Sequence, residues 1–299
     1  MDKKLIFPTL FLTASLLTAC SSDDEQTTTN APRRISVEVS EHPMTEDGAS
    51  EARSRATRAA IRTTETLDAF SMRGIYNGTA KSYSASKSKE TWTVAPDSWP
   101  EDAGNTTPVP FYAFTSGTFY PNSGTPYVDF IVAENASTQH DLLVASNSVA
   151  YNDHGGKVPL TFDHACAAVA FNVLMSNTLK AQLGDTPLTV SSIVLHNVSN
   201  SGKYYFGSKP AWGDVGNLAN YTLNNSSMTI TTTPQELSSN YLFMIPQSRD
   251  ANGTTGTYLE VSYTFTGQTQ PSATIPLAVN WETGTLYTIN IKLGTTLIK

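Results

Sequence analysis

Hydrophobic and polar residues alternate along much of the chain with a period of two, the pattern of β-strands that bury one face. The clearest case lies at 35–40, within RRISVEVSEH, where Ile35, Val37 and Val39 alternate with serine and glutamate. Further strand-like runs lie at 70–76, 91–94, 109–114 and 127–133. Turn-forming clusters such as PNSGTP separate these runs. The pattern predicts an all-β fold.

The second half of the chain opens with a run that is apolar on both faces. Its residues at 165–173 predict the central strand of a sandwich. More strand-like runs follow, namely LTVSSIVLHNV, KYYFG, SMTIT, YLFMIPQ, TYLEVSYTFTG, ATIPLAV and LYTINIKL. Their spacing of roughly ten to fifteen residues is typical of β-sandwiches. AQLGD and VGNLANY are each expected to hold a short helical turn. We place a domain boundary near Gly156, between sandwich domains at 35–156 and 157–299.

The N-terminus differs in character from the rest of the chain. Lys3 and Lys4 precede an almost wholly apolar run at 5–19, and Cys20 follows. The run has the length of a signal-peptide core and is shorter than the roughly 20 residues of a transmembrane helix. The residues LTAC at 17–20 resemble a bacterial lipobox. We therefore expect a lipoprotein signal peptide at 1–19, a lipid on Cys20 and a flexible tether at 20–34. The alternative is an ordinary signal peptide with a chance cysteine.

The five residues after the expected lipidation site are polar or acidic: Ser21, Ser22, Asp23, Asp24 and Glu25. They resemble the surface-export signal of Bacteroidetes lipoproteins. That resemblance implies an anchor in the outer membrane with the protein facing outward. The alternative is the start of a solvated linker.

Charge and chemistry narrow the possible functions. The net charge of −7 gives no electrostatic support for nucleic acid binding. With Cys20 lipidated, Cys166 is left alone and no intramolecular disulfide forms. His164 and Cys166 lie two apart on one apolar strand, which indicates a hydrogen-bonded core histidine and a core thiol rather than a catalytic pair. No metal-ligand spacing and no phosphate-binding glycine loop is present in the sequence, so neither a cofactor nor an enzyme activity is expected.

Four motifs occur in a fixed order behind the lipobox. They are DLLVA at 141–145, VPLTFDHACAAVAFNV at 158–173, LFMIPQ at 242–247 and WETGTLYTINIKL at 281–293. In this order they resemble the fimbrillin family, the subunits of Bacteroidetes type V pili. The resemblance implies two transthyretin-like β-sandwich domains in tandem and a role in cell adhesion. It also implies transport to the surface of the outer membrane as a lipoprotein, and a location in a fimbrium after processing.

The resemblance further implies a maturation step. In that family an arginine-directed protease removes the N-terminal strand, and a strand from a neighbouring subunit fills the groove by β-augmentation. In this chain the strand bearing Ile35, Val37 and Val39 is the removable one. Three arginines in the segment that follows it precede small residues and are candidate cleavage sites: Arg55, Arg58 and Arg62. The alternative is a basic linker that a protease happens to cut.

The position in the pilus and the kind of ligand each allow more than one interpretation. No long strand that could be donated to a neighbouring subunit follows LYTINIKL, which favours a tip or accessory subunit over a repeating stalk subunit. An anchor subunit that keeps its lipid is a further alternative. The expected partners are other fimbrillin subunits, the outer membrane and a host or microbial surface ligand. A different reading is a surface glycan-binding lipoprotein, because several aromatic residues have the character of sugar-stacking platforms: Trp92, Trp99, Tyr204, Tyr205 and Trp212.

Overall fold

The computed structural model describes residues 32–47, 65–121, 124–224, 226–237, 240–251, 255–265, 268–269 and 272–295. The strands β1–β22, in chain order, are Ser36–Glu41, Thr45–Glu46, Ala69–Tyr76, Thr79–Ser88, Thr91–Ala95, Val109–Phe114, Thr118–Tyr120, Tyr127–Ile131, Leu143–Val149, Lys157–His164, Ala167–Met175, Leu188–Tyr205, Ala211–Asn224, Met228–Thr229, Gln235–Glu236, Leu242–Met244, Gln247–Arg249, Tyr258–Phe265, Gln268–Thr269, Ala273–Pro276, Val279–Trp281 and Thr285–Leu293. The helices are α1 at Tyr151–His154 and α2 at Asn177–Leu183, with a 3₁₀ turn at Ala136–Thr138. The protein is all β, as the alternation predicts.

Three larger sheets organise the strands. A seven-stranded sheet has the order β1-β10-β9-β6-β3-β4-β5. A five-stranded sheet has the order β15-β11-β22-β2, with β16 also paired to β11. An eight-stranded sheet has the order β19-β18-β12-β8-β7, with β13 and β14 on β12 and β20 on β18. Strands β17 and β21 pair separately.

Two hydrophobic cores lie against these sheets. The first core belongs to the seven-stranded sheet, and its largest fully buried side chains include Trp99, Tyr83 and Phe111. The second core is built from the five-stranded and eight-stranded sheets together, for example by Phe171 of β11 and Ile193 of β12.

The change from one sheet system to the next does not coincide with the boundary that we placed near Gly156. Strand β10 comes after that point, yet it pairs with β1 and β9 in the seven-stranded sheet. The following strand, β11, is the first of the five-stranded sheet, so this change lies between β10 and β11. Earlier in the chain, β7 and β8 already join the eight-stranded sheet through pairing of β8 with β12. Alternation along β10 fixes which face is buried but not which strand lies beside it.

Individual strands were predicted with uneven success. The run at 35–40 corresponds to β1, and the central strand at 165–173 corresponds to β11, which is flanked by β22 on one side and by β15 and β16 on the other. The helical turn in AQLGD is confirmed by α2. The helical turn in VGNLANY is wrong, because these residues lie within β13 and pair with β12 across two register shifts.

Candidate functional site

The N-terminal strand β1 lies at the edge of the seven-stranded sheet and completes its core. It pairs in parallel with β10, so that Val37 faces Val158 and Val39 faces Leu160. The side chains of Ile35 and Val37 are buried in the first core, at 4% and 9% exposure, and Val39 packs against it half-buried. Burial of an aliphatic side chain contributes about 1.5–3 kcal/mol. The three residues predicted to form a removable strand are therefore a structural part of the first core.

The start of β1 is also held on its other side. Ile35 N–H donates to the Asp97 carbonyl oxygen at 2.8 Å, and Trp99 N–H donates to the Arg33 carbonyl oxygen at 2.7 Å. The beginning of the strand thus inserts between β10 and residues 97–99. We call the edge of β10 together with residues 97–99 the β1 groove.

Polar pairs line the solvent face of β1. Ser40 and Thr161 share a hydroxyl hydrogen bond at 2.9 Å. His42 Nδ1 lies 2.6 Å from Asp163 Oδ1 at the end of the strand. Both pairs are exposed, and exposed pairs contribute less than about 1 kcal/mol each. The apolar face therefore dominates the attachment of the strand.

Gly156 allows the chain to approach α1 closely at the start of β1. Its φ is +84°, and a Cβ placed there would lie 2.2 Å from the Arg34 carbonyl oxygen and 2.7 Å from the Tyr151 ring. Its carbonyl oxygen accepts from Ser36 N–H at 3.1 Å. Only glycine fits this position without displacing the strand.

A partly buried guanidinium group makes four hydrogen bonds just before β1. Arg33 Nη1 donates to the Ala103 carbonyl oxygen and to Asn105 Oδ1, the latter at 2.9 Å. Arg33 Nη2 donates to the carbonyl oxygens of Pro100 and Glu101, at 3.2 and 2.8 Å. Arg33, within the tether predicted over 20–34, thus makes specific contacts with residues 100–105.

The same N-terminal segment also pairs with the five-stranded sheet. Strand β2 pairs in parallel with the start of β22, where Thr45 N–H donates to the Gly284 carbonyl oxygen at 2.9 Å and Asp47 N–H to the Leu286 carbonyl oxygen at 3.1 Å. Segment 32–47 thus contacts the edges of two different sheets. The second contact is not predictable from sequence, because a strand of two residues has no recognisable pattern.

The histidine and cysteine singled out above lie in the interior, as predicted. His164 Nδ1–H donates to Asp141 Oδ2, and both side chains are almost completely buried. Cys166 is fully buried, and burial, reinforced by the Asp141 charge, raises the pKa of its thiol well above the usual range despite a hydrogen bond with the Leu142 backbone. A protonated thiol without solvent access is not a nucleophile.

The aromatic residues considered for sugar stacking separate into two groups. Trp99 and Tyr204 are buried, at 1% and 4% exposure, so neither offers a ring face to a ligand. Trp92, Tyr205 and Trp212 are partly exposed. Trp92 packs on Phe70 with ring centroids 5.0 Å apart, as a core-rim residue does.

The other predicted site residues lie outside the described residues. They are Cys20, Ser21, Ser22, Asp23, Asp24, Glu25, Arg55, Arg58 and Arg62. The described residues on either side place the arginine segment between β2, which ends at Glu46, and β3, which begins at Ala69. In the part of the chain that the structure describes, no helix is long and apolar enough to cross a bilayer.

Comparison with known proteins gives a consistent family assignment. The model of the fimbrillin-like family matches residues 54–299. The fold is similar to that of a fimbrial protein from Bacteroides vulgatus ATCC 8482, with a TM-score of 0.53 and 16% identity over 87% of this chain and 95% of that chain. It is also similar to a candidate cell adhesion protein from Bacteroides eggerthii DSM 20697, with a TM-score of 0.50 and 14% identity over 88% of this chain and 87% of that chain.

No curated protein matches the chain significantly. The two structural similarities concern the fold alone, whereas the family model covers most of the sequence, including β3 and every later strand. The chain therefore belongs to the fimbrillin-like family, as its four ordered motifs suggest.

Proposed function

We propose that the chain is the surface lipoprotein precursor of a fimbrial subunit that assembles by strand exchange and serves cell adhesion. Cys20 carries the lipid, and residues 21–25 direct the protein to the outer face of the outer membrane. Cleavage at Arg55, Arg58 or Arg62 then separates segment 32–47 from the rest of the chain. A strand of a neighbouring subunit takes its place.

One observation carries this proposal: β1 completes a core, lies at a sheet edge and is joined to β3 only through the arginine segment. Strands that follow one another in sequence are usually neighbours in a sheet. Here a single cut after β2 leaves β1 attached by non-covalent contacts alone. Such a strand is exchangeable, because nothing but the free energy of its contacts retains it.

Loss of β1 would expose an edge suited to receive another strand. The N–H and C=O groups of β10 that now pair with β1 would lose their partners. The buried side chains of Val158, Leu160 and Phe162 would lose the apolar side chains of β1 beside them. Unpaired edges next to apolar side chains bind extended peptides, with backbone hydrogen bonds giving affinity and alternate side chains giving specificity.

The experiment is limited digestion of the full-length precursor with an arginine-specific protease. The expected product begins at residue 56, 59 or 63, and subunit association then increases in light scattering and electron microscopy. The matched control carries Arg53→Gln, Arg55→Gln, Arg58→Gln and Arg62→Gln together, so that no arginine is left between β2 and β3. Absence of a cut in the segment, or a cut without any gain in association, contradicts the proposed function.

A further inference from the structure

The loop at 100–105 is built around a cation. Three backbone carbonyl oxygens and Asn105 Oδ1 converge on the guanidinium of Arg33, and the Tyr151 ring lies against it with its centroid 5.9 Å from Cζ. Oxygen dipoles aimed at one point favour a positive charge there, and a charged donor strengthens each hydrogen bond. We call residues 100–105 together with Tyr151 the arginine socket.

The shape of the socket suits arginine better than lysine. The two Nη atoms each donate to two acceptors, a pattern that needs the planar fork of a guanidinium. An ammonium offers three donors from one point and cannot reach four separated acceptors. The socket therefore distinguishes between the two basic side chains.

The walls of the socket are held by contacts outside segment 32–47. Asn152 N–H donates to the Asn105 carbonyl oxygen at 2.9 Å, and Ala103 is buried. The Trp99 ring anchors the loop between Tyr151 and Phe111, with centroid distances of 5.5 and 5.1 Å. The partners in these contacts lie outside segment 32–47, so we expect the socket to keep its shape when β1 leaves.

The socket also fixes the register of the strand in the β1 groove. Backbone alternation permits a strand to shift by two residues and keep its apolar face inward. A shift of two would remove the guanidinium from the socket and leave its converging carbonyl oxygens without that donor. Because Ile35, Val37 and Val39 lie two, four and six residues after Arg33, the groove reads an arginine at a set distance from three apolar side chains.

We propose that the arginine socket selects the strand that enters the β1 groove, and that the entering strand has the pattern Arg-x-Φ-x-Φ-x-Φ, where Φ is a β-branched apolar residue. The inference rests on the proposed strand exchange and specifies the chemistry of its partner, an extended segment of a neighbouring subunit. In this sequence Arg33 is the only arginine followed by apolar residues at all three spacings. Once segment 32–47 is lost, no other arginine of this sequence offers the pattern, so the entering strand comes from another chain that carries it.

The adjacent arginine supplies a matched control. Arg34 Nη1 lies 3.4 Å from Asp97 Oδ2, with side chains 77% and 63% exposed. Such an exposed pair contributes little. Arg33 and Arg34 thus carry equal charge at neighbouring positions, and only the first occupies the socket.

The first test uses the uncut full-length chain and does not depend on cleavage. Hydrogen exchange of the β1 amides is measured for Arg33→Ala, Arg33→Lys and Arg34→Ala. We expect Arg33→Ala to accelerate exchange by roughly tenfold or more and Arg33→Lys by a smaller factor, whereas Arg34→Ala stays within about threefold. Equal effects of Arg33→Ala and Arg34→Ala on the exchange rates would contradict the proposed role of the socket.

The second test uses the full-length chain after arginine-specific cleavage. Synthetic peptides with the sequence of residues 32–47 compete for the groove, and binding is followed by fluorescence anisotropy. A peptide with Arg33→Ala should bind at least about tenfold more weakly than the unaltered peptide, and one with Arg34→Ala nearly as well. Asn105→Ala in the protein should weaken the unaltered peptide but not the Arg33→Ala peptide.

The outcomes separate the two claims. If no peptide exchanges into the cleaved protein, the proposed strand exchange is wrong. The hydrogen-exchange comparison then still tests whether the contacts of Arg33 in the socket retain β1. If all peptides exchange with equal affinity, strand exchange stands and the socket has no selective role.

Discussion

Replacement of Ile35 by alanine gives a quantitative test of how β1 is retained. Ile35 is 4% exposed and packs in the first core at the start of the strand. The substitution removes three carbon atoms, about 2.4 kcal/mol of transfer free energy at about 0.8 kcal/mol each. Core Ile→Ala changes cost about 2–5 kcal/mol, and an edge site that can partly collapse lies at the lower end, about 2–3 kcal/mol.

This loss acts first on the local opening of β1 rather than on the whole protein. Because 1.36 kcal/mol corresponds to a factor of ten, about 2–3 kcal/mol increases the detached population of the strand about 30- to 160-fold. Hydrogen exchange of the amides of Ser36–Glu41 in the full-length chain measures that population. Ser36→Ala is the control, because its side chain is exposed and surface changes usually stay within about 0.5 kcal/mol. Equal exchange rates for the two variants would refute the claim that apolar burial retains β1.

Three further predictions concern other parts of the molecule. Gly156→Ala should accelerate exchange of the β1 amides more than Gly155→Ala, because both have positive φ but only Gly156 lies against backbone and ring atoms; similar rates for the two would contradict the close-packing argument. Burial, with a smaller effect of a nearby carboxylate charge, raises the pKa of Tyr204 to about 12 from an ordinary value of 10.0. The contribution of the neutral phenol to the free energy of unfolding is complete below pH 10 and is lost as pH rises towards 12, so Tyr204→Phe should flatten the fall in unfolding free energy over that window. Equal slopes for the two proteins would show that the phenol ionises equally in the folded and unfolded states. In a Cys20→Ser background, Cys166 should react with a thiol reagent only after denaturant unfolds the chain, whereas rapid native reaction would contradict its burial.

The sequence predicts those elements whose own pattern is regular. Strand β1 is evident because Ile35, Val37 and Val39 alternate with polar residues in an otherwise exposed context. Strand β4 is not evident, since TAKSYSASKS is rich in serine and lysine and only Tyr83 and Ala85 become buried. Its strand conformation is imposed by pairing with β3 and β5, which is tertiary information.

Contacts between distant segments explain what sequence reasoning missed at the site. The hydrogen-bond acceptors of the arginine socket lie 67–72 positions after Arg33, and they are mostly backbone oxygens that carry no residue-type signal. Parallel pairing of β1 with β10 likewise joins segments about 120 residues apart, for example Ser40 with Thr161. The candidate strand was recognisable from its own residues, whereas the groove that holds it was not.

The central claim is that β1 is an exchangeable part of the first core. Native mass spectrometry of the full-length protein after arginine-specific cleavage, with an excess of isotope-labelled peptide 32–47, tests it most directly. We expect the mass of the complex to shift by the mass of the label as the resident segment is replaced. A cleaved protein that keeps its unlabelled segment under native conditions, or a precursor that is not cut between β2 and β3, would contradict it.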